Sequence, residues 1–303
     1  SLDNIERPDP ASAFQPQGVH GPSQIINQSF SWQDKDWKNI SLQNMIIYEL
    51  HLAAFTEKGT FEAIIPRLEQ LKKMGINTIE LMPVAQFPGK RNWGYDGVYP
   101  YAVQDSYGGP RGLKKLVNAC HKKGIAVVLD VVYNHLGPEG NYFHDFAPYF
   151  TDKYHTPWGP AMNFDDSYND EVRNYFIENA LYWFREFHID GLRLDAVHAI
   201  LDMSAKPFLQ ELSKEVKKLS GQLQKPLYLF PETNLNKSAF GKPVSSNGYG
   251  MDAEWLDDFH HSVHALLTGE RDGYYQDYGQ LKHIAKCINK GHVYDGIYSE
   301  SRK

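Results

Sequence analysis

Cysteine is nearly absent. Cys120 and Cys287 are the only two in 303 residues; they lie far apart in helix-like patterns, which argues against a disulfide framework and for a reducing compartment. A surplus of positive charge is also missing, with 31 Lys and Arg against 37 Asp and Glu and a formal net charge of −6. Partners that demand a basic face, nucleic acid and anionic membrane, are therefore not expected, and a neutral substrate fits better. No apolar run approaches the ~20 residues of a membrane-spanning helix. The opening SLDNIERPDP lacks the basic and apolar regions of a signal peptide, so a cytoplasmic location is expected. Finally, LHLAAFTEKGT contains neither G-x-G-x-x-G nor a P-loop after the first strand-like run, which disfavours a doubly wound nucleotide binder.

What is present is enough apolar material for a large core, 42% of the chain, and a 14% share of aromatic residues. Aromatics suit stacking on sugars, and equally the core of a large barrel. Residues 1–44 are rich in Pro, Gly, Gln, Asn and Ser and show no sustained period, as expected for a linker or the tail of a preceding β-domain. From 45 onward the pattern is regular. Strand-like runs at 45–52, 76–84, 125–135, 191–197, 226–233 and 253–263 alternate with helix-like runs at 60–75, 112–124, 169–188, 205–220 and 280–291. Gly75 and Gly124 stand where two of those helices should stop. Such alternation predicts parallel strands joined by right-handed crossovers, and the missing nucleotide motif favours a (β/α) barrel of the TIM type over an open sheet. Residues 45–303 are thus expected to form a catalytic domain with about six of a barrel's eight β/α units.

The run HIDGLRLDAVHAI, 188–200, is the most informative. With a period of two, Leu192, Leu194 and Ala196 point one way and Arg193 and Asp195 the other. A guanidinium and a carboxylate on the inner face of a barrel strand, near its C-terminal end, mark an active-site rim. Asp130, Asn134 and His135 occupy the equivalent position in the third unit, Glu232 in the fifth, Asp257 and Asp258 in the sixth. One such aspartate is more often a solvated acid or a satisfied ion pair. Several in successive units point to a sugar hydrolase, because carboxylates on adjacent strands suit a nucleophile and a separate acid/base.

DVVYNH (130–135), GLRLDAVH (191–198) and PETN (231–234) resemble three signature regions of the α-amylase family, glycoside hydrolase family 13. Longer stretches, among them NHLGPEGNY and DDFHHSVHALLTGERDGYY, are similar to its trehalose-releasing branch, so that the likeness covers almost the whole chain. The resemblance implies a (β/α)8 barrel and a retaining hydrolase of α-1,4-glucan, releasing trehalose from maltooligosyltrehalose. It implies Asp195 as nucleophile and Glu232 as general acid/base. Tyr95 would be the platform under the cleaved sugar and His135 a donor to it; a packed loop aromatic is the plain alternative for Tyr95. His198 would face the subsites beyond the cleavage point, although Ala199 stands where the family has a second histidine. Asp258, His260 and His261 are candidate readers of the terminal disaccharide, with a buried structural pair the equally weighted alternative. Arg193 should lower the pKa of Asp195, and partial burial should keep that of Glu232 high. Asp130 is expected to brace Arg193, and Asn134 to bond the neighbouring strand-end loop. No cofactor and no required metal are expected, since the segment after His135 is short of oxygen ligands.

Two other functions compete. A glucan branching enzyme shares the first half-reaction but tends to read WGYQ where this chain has WGYD; a non-catalytic glucan binder would be expected to have lost Asp195 or Glu232. The family's third carboxylate has no counterpart here and is expected beyond Lys303. The 303 residues alone are therefore expected to be an excerpt that hydrolyses no glucan.

Overall fold

The computed structural model describes residues 5–301. Six parallel strands form one sheet in sequential order: β1 (Ile47–Leu50), β2 (Thr78–Leu81), β3 (Ala126–Val131), β4 (Gly191–Leu194), β5 (Tyr228–Thr233) and β6 (Trp255–Leu256). This is the order of a partial TIM-type barrel, in which each new strand pairs with the one before it. β3, AVVLDV, is buried at every position, as expected where a parallel sheet is covered on both faces.

The two faces differ in chemistry. Ile79, Leu81, Val127, Leu129, Leu192, Leu194 and Leu229 join the main core against the helices, whereas Val128, Tyr228 and Phe230 form a separate inner cluster. Val128, Gly191 and Tyr228 lie in register, as do Asp130, Arg193 and Phe230. A Cβ at Gly191 would stand 3.0 Å from the Phe230 ring, so a larger residue there would press on that inner cluster.

The covering helices are α1 (Leu68–Lys73), α2 (Gly109–Lys122), α3 (Asn169–Glu186), α4 (Phe208–Leu223), α5 (Asp257–Thr268) and α6 (Leu281–Lys290). The single helix expected over 60–75 is broken: Phe61–Ile64 passes through a 3-10 turn, Ile65–Arg67, into α1. Pro66 sits in that turn and has no N–H to continue an α-helical ladder. The sixth strand needs a larger correction. Of the expected run 253–263 only Trp255–Leu256 is strand, and Asp257 begins α5. Its buried positions, Asp258, Ser262 and Ala265, follow helical spacing, but two of them are polar, so a hydrophobic period is hardly visible. Asp257 and Asp258 also favour the positive end of a helix.

Residues 5–44 contain one element, the 3-10 turn Leu42–Asn44. Tertiary bonds hold the rest against the barrel. At the N-terminal end of the strands, His121 is bonded through Nδ1 to Asp34 (2.7 Å) and through Nε2 to Asp190 (2.8 Å). The Trp37 indole N–H and Lys225 Nζ reach the other Asp190 oxygen at 2.8 and 3.1 Å, and Val127 N–H donates to the first at 2.9 Å. Trp37 stacks on His121 and Trp32 on His188. Both ring nitrogens of His121 face carboxylates, an arrangement that favours the doubly protonated ring. Burial opposes that charge, the Asp190 and Asp34 carboxylates outweigh it, and the net pKa is raised.

Candidate active site

Arg193 stands at the centre of the opposite, C-terminal end of the sheet. Its Nη1 donates to both oxygens of Asp130 (3.1 and 2.9 Å) and to Asp195 Oδ1 (2.6 Å), and its Nη2 lies 3.5 Å from Glu232 Oε2. One guanidinium thus gathers carboxylates from β3, from the end of β4 and from β5. The alternation of β4 places Arg193 inward, and Asp195 extends the pairing by donating its backbone N–H to Val131 O.

The next residue turns the chain sharply. Ala196 has φ +41°, a left-handed conformation that costs a residue with a Cβ roughly 1–2 kcal/mol. Its N–H donates to Glu232 Oε2 at 2.8 Å, so the turn that ends the Asp195 strand also fixes Glu232. Asn134 donates to the Asp195 backbone carbonyl (2.8 Å) and to its Oδ2 (2.9 Å); it bonds the neighbouring strand end as expected, and the carboxylate besides. The His135 ring pairs with Asn134 Oδ1 through Nδ1 and with the Tyr95 carbonyl through Nε2, the latter at 2.8 Å. The loops bearing Tyr95 and His135 touch closely: a Cβ at Gly137 would stand 2.2 Å from the Asp96 carbonyl.

Tyr95 enters this network by its hydroxyl, which donates to Asp130 at 3.0 Å. Burial raises the Glu232 carboxyl against the pull of Arg193, aided by the charge of Asp257. Asp130 is buried, which works against its charge, while Arg193 and Tyr95 work for it. The arrangement suits two roles: a carboxylate gripped by a cation at Asp195, and a carboxyl with a raised hold on its proton at Glu232.

The other expected residues scatter. His198 lies in the 3-10 turn Val197–Ala199, half-buried, with Nδ1 unpartnered among the described residues. Asp258 is fully buried and accepts bonds from Asn236 (2.8 Å), the Tyr278 hydroxyl (2.6 Å), Val293 N–H (2.7 Å) and Tyr294 N–H (3.0 Å). That geometry matches the buried structural alternative. His260 is exposed and meets His261 and His264 by ring contact. Asp257 instead lines a cleft of about 500 Å³ with Asn234, His261 and Tyr274.

Two residues of the site carried no sequence signal strong enough to single them out. Trp158, at the turn of the antiparallel ribbon Phe150–Thr156/Gly159–Met162, stacks on His135 with centroids 4.6 Å apart. Glu80 of β2 faces inward without a hydrogen bond to either oxygen among the described residues, and burial, with Asp130 and Glu49 adding to it, pushes its carboxyl up to about 8. Its alternate position in TIEL was the one available clue. Among the described residues no group of three or more His, Cys, Asp or Glu is placed to hold a metal ion. No helix among them is long and apolar enough to cross a membrane.

Comparison with known proteins agrees with this architecture. The alpha-amylase catalytic domain family matches residues 24–158. A malto-oligosyltrehalose trehalohydrolase from Saccharolobus solfataricus is 53% identical over 99% of this chain and 53% of its own length. A 1,4-alpha-glucan branching enzyme from Clostridium perfringens is 34% identical, over 75% of this chain and 39% of its own. A solved structure from Salmonella typhimurium superposes with a TM-score of 0.91 at 41% identity, covering 99% of this chain and 51% of that one. The chain spans about half the length of the curated relatives it matches. The likeness runs through the strands that end in Asp130, Arg193 and Glu232, and the chain belongs to the α-amylase family.

Proposed function

We propose that the protein is a retaining glycoside hydrolase of α-1,4-glucan, and that the bond it cuts is the one next to a terminal trehalose unit in maltooligosyltrehalose. One observation carries the reading: a single guanidinium, Arg193, binds Asp195 at 2.6 Å and reaches Glu232 at 3.5 Å. Asp195 attacks the anomeric carbon as the ionised nucleophile, and the C–O bond to the departing sugar breaks as Glu232 gives its proton to that oxygen. The covalent glycosyl ester is then cleaved by water, whose proton returns to Glu232, restoring both carboxyls and the original anomeric configuration. Arg193 and Asn134 hold Asp195 in place, so the geometry is set before substrate arrives. His135, fixed by Tyr95 and backed by Trp158, faces the sugar being transferred. A neutral glucan also suits a chain with net charge −6.

The choice of trehalose-terminated substrate follows the 53% identity to the Saccharolobus relative, against 34% to the branching enzyme. Incubating the natural full-length protein with maltotriosyltrehalose and with amylose tests it. Free trehalose is expected, together with maltotriose whose new reducing end is released in the α configuration. New α-1,6 branches on amylose without trehalose release would transfer the assignment to the branching reaction.

A further inference from the structure

The loop from Asp195 to Lys206 carries His198, and both its ends are held. At the start stand the bonds from Asn134 and the Ala196–Glu232 contact described above. At the far end stands Arg173 of α3, which is 7% exposed and belongs to no part of the catalytic cluster. Its guanidinium makes five hydrogen bonds: Nε and Nη2 to Glu211 Oε2 (3.0 and 2.9 Å), Nη1 to Phe164 O (2.7 Å) and Asp202 Oδ2 (2.9 Å), and Nη2 to Lys206 O (2.8 Å). A guanidinium has five N–H donors, so every one is used.

The acceptors belong to three different segments. Phe164 follows the ribbon that carries Trp158, Asp202 and Lys206 belong to the loop, and Glu211 lies in the first turn of α4. Asp202 passes the constraint on, accepting Ser204 N–H (2.8 Å), the Ser204 hydroxyl (2.5 Å) and Phe208 N–H (2.5 Å). A second tie joins loop and ribbon: Asp165 accepts Met203 N–H at 2.7 Å and the Tyr154 hydroxyl at 2.8 Å. The part of the loop that carries His198 thus lies between two clamped ends, and the far one is made by Arg173.

We propose that Arg173 is a positioning residue for selectivity: through Asp202 and Lys206 it sets the loop bearing His198, and so the preference for a trehalose-terminated over a plain maltooligosaccharide. The inference rests on the reaction proposed above, with the departing disaccharide on the His198 side. A planar fork is needed, because a lysine has three donors on one atom and reaches no more than part of the acceptor set.

The test uses the natural full-length protein, with kcat and KM measured on maltotriosyltrehalose and on maltopentaose. Arg173→Lys should lower the ratio of the two kcat/KM values about tenfold, chiefly through KM for the trehalose-terminated substrate, with kcat on maltopentaose within about twofold of the unchanged protein. Asp202→Asn should lower the ratio in the same direction. An unmodified protein that shows no preference for the trehalose-terminated substrate overturns the proposed function. A preference that survives both variants, in folded protein, overturns the role of Arg173. Unfolding of both variants overturns it too, by making the clamp a stability element and nothing more.

Discussion

The two ends of the sheet hold two charge clusters built from the same parts and balanced in opposite ways. At the N-terminal end three basic side chains, His121, His188 and Lys225, meet two carboxylates, Asp34 and Asp190, and the side chains of His121 and Asp190 are fully buried. At the C-terminal end one cation, Arg193, is shared among Asp130, Asp195 and Glu232, the last two being partly open to solvent. In the first cluster every carboxylate has basic partners and hydrogen bonds enough, which suits it to holding the fold. The second is short of positive charge. Under the proposed reaction, a sugar developing positive charge at its anomeric carbon would supply what is missing, and a site so arranged would stabilise the transition state more than the ground state.

That contrast is tested most severely by neutralising one carboxylate at each end. Asp195→Asn should lower kcat by about 10⁴-fold or more, roughly 5 kcal/mol of transition-state stabilisation, while Tm changes little. Near-normal turnover would show that Asp195 is not the nucleophile proposed for it. Asp190→Asn should do the reverse, costing about 3–5 kcal/mol of stability because His121 and Lys225 lose a buried partner, with KM for glucan unchanged in whatever fraction stays folded. Denaturant unfolding checks it, and an unshifted midpoint would remove the distinction between a holding end and a working end. The smallest effect is in pH. His121 has a raised folded-state pKa, so its contribution is full below the ordinary histidine value of 6.5 and is lost as pH rises through the folded value. Asp34 and Asp190 have lowered pKa values: burial raises both, and the neighbouring His121, with His188 at Asp34 and Lys225 at Asp190, prevails. Their contribution is present above the ordinary aspartate value of 3.8 and is lost as pH falls. Tm should therefore decline on the alkaline side of the 3.8–6.5 window, and His121→Gln should flatten that decline. An identical slope in the variant would place the titration elsewhere.

The two clusters were unequally legible. Arg193, Asp195 and Glu232 could be read because a strand repeats every two residues, and a charge on an otherwise apolar strand stands out against that period. The parallel order of the units could be read for the same reason. Asp34, Trp37 and Asn39 could not, because they lie in a segment without any period and their partners are remote in sequence. β6 and α5 were misread where Asp258 and Ser262 occupy buried helical positions. Their burial depends on Tyr278, Val293 and Tyr294, which no local pattern links to them. Arg173 was missed for a related reason: one arginine on an amphipathic helix is ordinarily a solvated side chain, and only the fold turns it inward.

The sequential strand order also bears on how the polypeptide is made. Each strand from β2 to β5 pairs with the strand that emerged just before it, so the sheet can extend during synthesis. The strap formed by residues 30–40 cannot follow that schedule. Trp37 must wait for Asp190, 153 residues downstream, and Asn39 for the Pro226 carbonyl, 187 residues downstream. At typical ribosomal speeds of about 5–20 residues per second, the first wait lasts roughly 8 to 30 s. Through that interval the Trp32 indole has no His188 ring to lie on, and Trp37 is without His121 for roughly the first half of it. The strap thus leaves the ribosome well before the partners that hold it, and it docks only once they have appeared.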